Sequence, residues 1–297
     1  MVDDNLLALY PIDTSILTPD YLFHWLCNTN LENFCNSGNV PSINQRSVFN
    51  TEIVLPTVSE QIEICKLLDT WDSIIEKIKG LSQINYQKEA ALAAALYSPD
   101  KKSAFSTLDE FCTEISIRNR RVTDRVLSVT NQSGFVLPEE QFAKRIASDD
   151  ISSYKIVRKG QYAYNPSRIN VGSIARLDDW DIGALSPMYT VFSIDEGRID
   201  SDYFLHWLKS PRARFAIAKS AQGSVRTTVA YSDLSEIEIL LPNLSEQRRI
   251  ARILNSAREE TRILRDLAER YKQQKTFLMS KLLSGEWEAP NLGAEAN

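Results

Sequence analysis

The sequence predicts an α+β protein in which one α/β domain and a partial second copy of it are joined by two long antiparallel coiled-coil helices. Three observations carry this expectation: an internal duplication, two long apolar patterns in one shared register, and strand-like segments gathered between them.

The duplication is read directly. Asp20-Tyr21-Leu22-Phe23-His24-Trp25-Leu26 recurs as Asp202-Tyr203-Phe204-Leu205-His206-Trp207-Leu208, 182 positions later. Leu55-Pro56-Thr57-Val58-Ser59-Glu60-Gln61 recurs as Leu241-Pro242-Asn243-Leu244-Ser245-Glu246-Gln247, 186 positions later. The two histidines of the chain fall at equivalent positions of the two copies.

Each Leu-Pro motif opens a long helix. Thr57 and Asn243 suit the N-cap, with Glu60 and Glu246 three residues on, as in a capping box. Steps of four and three place Ile64, Leu68, Trp71, Ile75, Ile78, Ser82, Asn85, Glu89, Leu92 and Leu96 on one face. The second helix repeats the pattern 186 positions on, from Ile250, Leu254 and Ala257 to Lys275, Leu278 and Leu282. Gly80 is the one weak point of the first helix. At 1.5 Å per residue each helix reaches about 60 Å.

Between the helices, residues 154–157, 160–164, 188–194 and 237–241 read as strands and Asp202–Lys209 as the start of a helix. Alternation in 160–164 points its tyrosines to a core. Residues 1–54 repeat only the end of this domain, with strands expected at Leu9–Ile12 and Glu52–Leu55 around the first His-Trp helix.

Composition bounds the function. The net charge of −5 is unevenly spread: residues 1–100 hold 5 Lys and Arg against 13 Asp and Glu, residues 101–240 hold 19 against 18, and residues 241–297 hold 10 against 8. The acidity sits in the first third, so a nucleic-acid surface, if present, lies in the remainder. Cys27, Cys35, Cys65 and Cys112 lack Cys-x-x-Cys spacing and read as reduced thiols of a cytoplasmic protein. No apolar run reaches the ~20 residues of a membrane span, and the acidic start is unlike a signal peptide. With no P-loop, His-Glu-x-x-His or Gly-x-Ser-x-Gly, neither catalysis nor a metal or cofactor is expected.

Taken with the segment Val129-Thr130-Asn131, the run Tyr154–Arg168 and the ending Leu282-Leu283-Ser284-Gly285, the alternation of domain and helix resembles the specificity subunit of type I restriction–modification systems, here shortened at its N-terminal end. The resemblance implies a partial first target-recognition domain at 1–54, a spacer helix at 55–98, a complete recognition domain at 99–240, a second spacer helix at 241–285 and a tail at 286–297. It further implies that each recognition domain reads half of a bipartite DNA site. The helices would set the spacing of the halves and dock methyltransferase subunits, and through them a restriction subunit. By analogy with residues 105–187, the front of the first recognition domain is absent. A related family reading is the specificity protein of a fused restriction–methylation enzyme. A reading of another class is a scaffold or decoy that holds methyltransferase or specificity subunits through its helices and reads no DNA.

Candidate DNA contacts follow. Arg118, Arg120 and Arg121, with Asn119, suit phosphate, although a solvated charged turn has the same composition. Asn131 is carried as a candidate with the Val129-Thr130-Asn131 segment of the family resemblance. The loop Gln222-Gly223-Ser224-Val225-Arg226-Thr227-Thr228 offers Gln222, Ser224 and Arg226 around a Gly; Arg matches guanine and Gln adenine, while the alternative is a plain turn. Asn165-Pro166-Ser167-Arg168 partly resembles the Asn-Pro-Pro-aromatic motif of adenine methyltransferases, but lacks the second Pro and the aromatic. It reads as a turn presenting Arg168 to DNA or simply to solvent. His24 and His206, each beside Trp without a nucleophile or metal partner, read as packing residues. Finally, one complete recognition domain reads one half-site while the helices imply two, so a homodimer on an interrupted palindrome is expected.

Overall fold

A computed structural model describes residues 7–35, 43, 45–99, 104–131, 133–137, 150–221 and 228–289. The chain divides into two compact units: Met1–Ile84 with Glu260–Asn297 (unit 1), and Asn85–Glu259 (unit 2). Both long helices form. The first, α3, is Val58–Leu96 and the second, α7, is Leu244–Leu283. Every position of the two predicted seams is buried or half-buried, whereas Lys66, Asp69, Thr70, Arg262, Leu267 and Lys272 between them are exposed. Gly80 does not break α3, and a Cβ there would meet nothing within 4 Å.

Unit 2 has three layers. A sheet of order β2-β9-β6-β7 lies at its centre, built from β2 (Cys112–Ile115), β6 (Tyr162–Tyr164), β7 (Ile174–Arg176) and β9 (Thr190–Ile194), all antiparallel. Alternation divides its side chains. Tyr162, Tyr164, Ile174 and Phe192 enter one core, and Ala163, Ala175 and Val191 enter another. The first core is closed by α4 (Ser201–Lys209), α5 (Pro211–Ala221), α6 (Tyr231–Ser235) and parts of the long helices, including Leu92, Leu96, Ile250 and Leu254. The second is closed by a sheet of order β4-β3-β8-β5, made of β3 (Val126–Thr130), β4 (Gly134–Val136), β5 (Lys155–Arg158) and β8 (Ile182–Leu185). Only β3 and β8 in this sheet run parallel. Gly183 allows their close approach, because a Cβ there would lie 2.3 Å from Leu127 Cδ1. A separate antiparallel pair joins β1 (Phe105–Thr107) to β10 (Glu238–Leu240).

Unit 1 holds α1 (Pro19–Asn28), α2 (Gln45–Phe49) and the adjoining parts of the long helices. There, Trp71 meets Tyr271 with ring centroids 5.4 Å apart, and Lys275 Nζ pairs with Asp72 at 2.6 Å. Ile64 and Leu68 share a core with Met279 and Leu282, so within this unit the two helices run antiparallel.

The duplicated motifs are duplicated hydrogen-bond clamps. Gln61 is fully buried; its Oε1 accepts from the Thr18 N–H, and its Nε2 donates to the carbonyls of Ile16 and Pro56. Gln247 repeats this with the Asp200 N–H and the carbonyls of Arg198 and Pro242. Each Gln thus ties the entry of its His-Trp helix to the entry of its long helix. The repeated tyrosines close the other side: Tyr21 Oη donates to the Val54 carbonyl, and Tyr203 Oη to that of Leu240. The capping box forms at Thr57 and Glu60. In the second copy Asn243 Oδ1 still accepts from the Glu246 N–H, but the Glu246 carboxylate turns to Arg249 instead.

Two expected strands are absent. Leu9–Ile12 is irregular, with Tyr10 and Ile12 exposed. Residues 52–54 are the counterpart of β10, yet no strand lies against them among the described residues, whereas β10 pairs with β1. A strand needs a partner for its N–H and C=O groups. The same lack shows in burial: Trp207, Phe204 and Leu234 are fully buried, while their counterparts Trp25, Leu22 and Val48 are only partly so, and Val54 is exposed.

Candidate nucleic-acid interface

One rim of unit 2 gathers most of the candidate residues. Lys155 opens β5 opposite Leu185, the last residue of β8, and Leu185 in turn lies opposite Leu127 of β3. Since β3 runs parallel to β8, its C-terminal end and Asn131 project beyond that same edge. Arg118 adds to the edge through a bridge to Lys155. Three strand spacings, about 14 Å, separate the β3 and Arg118 tracks, comparable with the ~12 Å width of a DNA major groove.

The arginine cluster sits on a built loop. Asn119 is fully buried: its Nδ2 donates to the carbonyls of Thr123 and Ile151, and its Oδ1 accepts from the Thr123 N–H. Backbone bonds from Asn119 to the Tyr154 carbonyl and from Arg120 to the Ser152 carbonyl hold the loop to its neighbour. Arg120 and Arg121 then take φ of 42° and 67°, left-handed values that cost free energy for residues with a Cβ. Both side chains are exposed. Arg118 is exposed too, but its Nη1 donates to the Ser153 carbonyl, so it braces the loop. Hydrogen bonds from Ser152, with the charge of Arg121 nearby, hold the Asp150 carboxyl below the usual range.

Arg168 lies on a compact turn between β6 and β7. Asn165 Oδ1 accepts from the Ser167 N–H, the Arg168 N–H donates to the Asn165 carbonyl, and Gly172 closes the turn at φ 96°. The Asn165 amide oxygen thus serves its own turn. Arg168, Ser167, Asn170 and Val171 are exposed. Asn131 neighbours this turn, because a Cβ built on Gly172 would sit 3.7 Å from Asn131 Cβ, and Ser173 Oγ donates to the Val129 carbonyl. Gln222, Ser224 and Arg226 lie outside the described residues. The segment after them is anchored at the Arg168 turn: the Val229 N–H donates to the Pro166 carbonyl, and Tyr164 Oη donates to the Val229 carbonyl. Helix α5, which leads into them, packs on the 169–171 turn. The structure therefore brings Asn131, Arg168 and both flanks of the 222–227 segment together, with Arg118–Arg121 farther along the same edge.

The remaining polar candidates are internal. Tyr162 and Tyr164 are fully buried; Tyr162 Oη donates to the Ser201 carbonyl, and burial raises both phenols. His24 Nε2 bonds Asp69 at 3.1 Å and His206 Nε2 bonds Asn255 at 2.7 Å, each joining its short helix to a long one. Burial pushes the Cys65 thiol up to about 11 and the Cys112 thiol up to about 12, away from nucleophilic range. Among the described residues no group of three His, Cys, Asp or Glu could hold a metal, and no helix is long and apolar enough to cross a membrane. Sequence reasoning missed the paired left-handed arginines, which nothing in the residue types signals. It also missed α2, although Gln45–Phe49 lies 186 positions before α6.

Residues 2–86 and 146–270, well over half of the chain, match the type I restriction modification DNA specificity domain. The chain belongs to that family. Each matched stretch contains one His-Trp helix and one Leu-Pro…Glu-Gln clamp of the duplication. Among curated relatives, the putative type I restriction enzyme MjaX specificity subunit of Methanocaldococcus jannaschii is 22% identical over 304 residues, covering 95% of this chain and 71% of the relative. The MjaVIII specificity subunit of the same organism is 22% identical over 286 residues, covering 85% and 66%. The chain thus spans roughly two thirds of the length of these relatives. The type I restriction–modification S subunit from M. genitalium has a similar fold, with a TM-score of 0.57 at 15% identity, over 92% of this chain and 74% of that one. So does the HsdS subunit from Thermoanaerobacter tengcongensis, with a TM-score of 0.50 at 17% identity, over 92% and 71%. Family membership supports a role in DNA sequence recognition.

Proposed function

We propose that this chain is the DNA-reading subunit of a type I restriction–modification methyltransferase and endonuclease, and performs no catalysis itself. The observation that carries the reading is the rim of unit 2, where a rigid turn presents Arg168 beside Asn131 and a strained loop presents Arg120 and Arg121. In this reading Asn131, Arg168, Gln222, Ser224 and Arg226 contact bases, and Arg118, Arg120 and Arg121 serve phosphate contact, Arg118 by bracing its loop. The long helices form a coiled-coil spacer and dock methyltransferase subunits, through which a restriction subunit is engaged. Their buried seam and the antiparallel contacts within unit 1 support this. The complex acts in the cytoplasm, where its DNA lies.

A gel shift with and without methyltransferase tests the proposal. The expected result is a sequence-dependent shift by the complex. A complex that forms but shifts no DNA overturns it, and favours the scaffold or decoy reading, to which the acidic first third of the chain lends support. The chain alone is expected neither to methylate nor to cleave DNA; incorporation of labelled methyl groups from S-adenosylmethionine contradicts that.

The homodimer belongs to this proposal. Unit 1 leaves Phe23, Phe49, Val54 and Leu55 exposed, apolar surface of the kind that a second copy covers. Light scattering at micromolar protein should show about twice 33.7 kDa. A chain that stays monomeric with methyltransferase added refutes the dimer.

A further inference from the structure

The chain carries a second electrostatic feature, of which the reading of the rim uses only Arg226. No Asp or Glu occurs between Asp202 and Asp233, while Lys209, Arg212, Arg214 and Lys219 fall there beside Arg226. In a protein of net charge −5 this is a local excess of positive charge. Helix α5 occupies the middle of it. Its inner face is set by Ala213 and Ile217, both buried, with Ser220 partly so. At 100° per residue, the opposite face carries Phe215 and Lys219, with Arg214 at its margin. All three are exposed, Phe215 at 73%. Arg212 is directed elsewhere, over the Phe105 ring at 5.2 Å.

Position gives this face its meaning. The helix packs on the 169–171 turn that follows Arg168, and it leads directly into residues 222–227. The C-terminal end of the helix therefore borders the Arg168 rim on which a duplex would sit, and a helix face whose flanking sequence carries no Asp or Glu suits the sugar–phosphate backbone. We infer that the Arg214–Phe215–Lys219 face of helix α5 lies against the DNA backbone and anchors the duplex beside the reading turn without reading sequence itself. The inference rests on the proposed DNA-reading function. Arg214 and Lys219 neutralise phosphates, and Phe215 covers the sugar edge between them. The face thereby sets affinity and register, whereas Arg168 and the 222–227 segment set base preference.

The test uses the full chain in complex with its methyltransferase, two duplexes (one containing the site that the complex methylates, one scrambled), and a salt titration from about 50 to 200 mM. The variant is Arg214→Gln with Lys219→Gln, both exposed and compatible with a helix. Each lost phosphate contact should lower the slope of log K against log salt by about 0.9, so the double variant loses up to about 1.8. The expected loss of affinity is the same on both duplexes, the methylated sequence is unchanged, and the thermal midpoint is unaltered. A variant with the parental salt slope overturns the inference while the reader proposal stands, as does a loss confined to the site-containing duplex. Weakened methyltransferase binding with an unchanged salt slope assigns the face to a protein partner and also overturns it. A parental complex that binds neither duplex overturns both this inference and the reading on which it rests.

Discussion

Replacing Gln247 by Ala removes three hydrogen bonds from a site that is 1% exposed. The Asp200 N–H loses its acceptor at 2.7 Å, and the carbonyls of Pro242 and Arg198 lose their donor at 2.7 and 3.2 Å. At about 1 kcal/mol net per bond, with a further penalty for a buried N–H left unpaired, the cost is about 3–5 kcal/mol. Gln61→Ala should cost a similar amount in unit 1, since its three bonds are the same. Gln247→Glu sharpens the test, because the shape is kept but the amide donor is lost. A carboxylate oxygen then faces two carbonyls, so Glu should be at least as damaging as Ala at neutral pH. Its deficit should narrow on acidification, when protonation restores one donor. Urea unfolding and exchange of the Asp200 amide hydrogen measure the effect. A cost for Gln247→Ala below about 1 kcal/mol, with Asp200 exchange unchanged, would show that the clamp does not hold the His-Trp helix.

Within the methyltransferase complex, Arg168→Ala should cost ~1–3 kcal/mol on the methylated site and relax one of its positions; equal weakening on every sequence refutes base contact. Arg120→Ala with Arg121→Ala should weaken all duplexes alike and flatten the salt dependence, and a change in sequence preference contradicts that. The buried imidazole of His206 is held below its ordinary pKa of 6.5, chiefly by burial, against the raising effect of its bond to Asn255. The unfolded chain then takes up a proton that the folded chain refuses, so unit 2 should lose stability as pH falls below about 6.5 and keep it above. His206→Gln should flatten that stretch of the stability–pH curve; an unchanged curve rules out His206 as its source.

The legible part of the fold is the part written in periodic or repeated residues. The two long helices with their buried stripes, the two His-Trp helices, the packing role of the histidines and the burial of Tyr162 and Tyr164 follow from spacing and duplication, and all appear in the structure. The Glu-Gln of the motif was visible as a cap, but the clamp made by Gln61 and Gln247 was not, since two of the three partners in each copy lie more than forty residues away. Strands β1, β2, β4, β7 and β8 are three or four residues long, too short for alternation to register. Glu52–Leu55 shows the converse: strand-like residues form no strand where, among the described residues, no partner strand is laid beside them. At the rim, residue types nominated Arg168 and the arginine cluster. Their common edge depends on the pairing of β3, β5 and β8, which sequence does not reveal.

The central claim, that this chain dictates which DNA sequence its methyltransferase modifies, is tested most directly by methylation-sensitive long-read sequencing of DNA from cells expressing both proteins. The account predicts one interrupted motif, with two-fold symmetry if the chain dimerises, that appears only when this chain is present and relaxes at one position per half-site with Arg168→Ala. Methylation that is identical with and without the chain would contradict it.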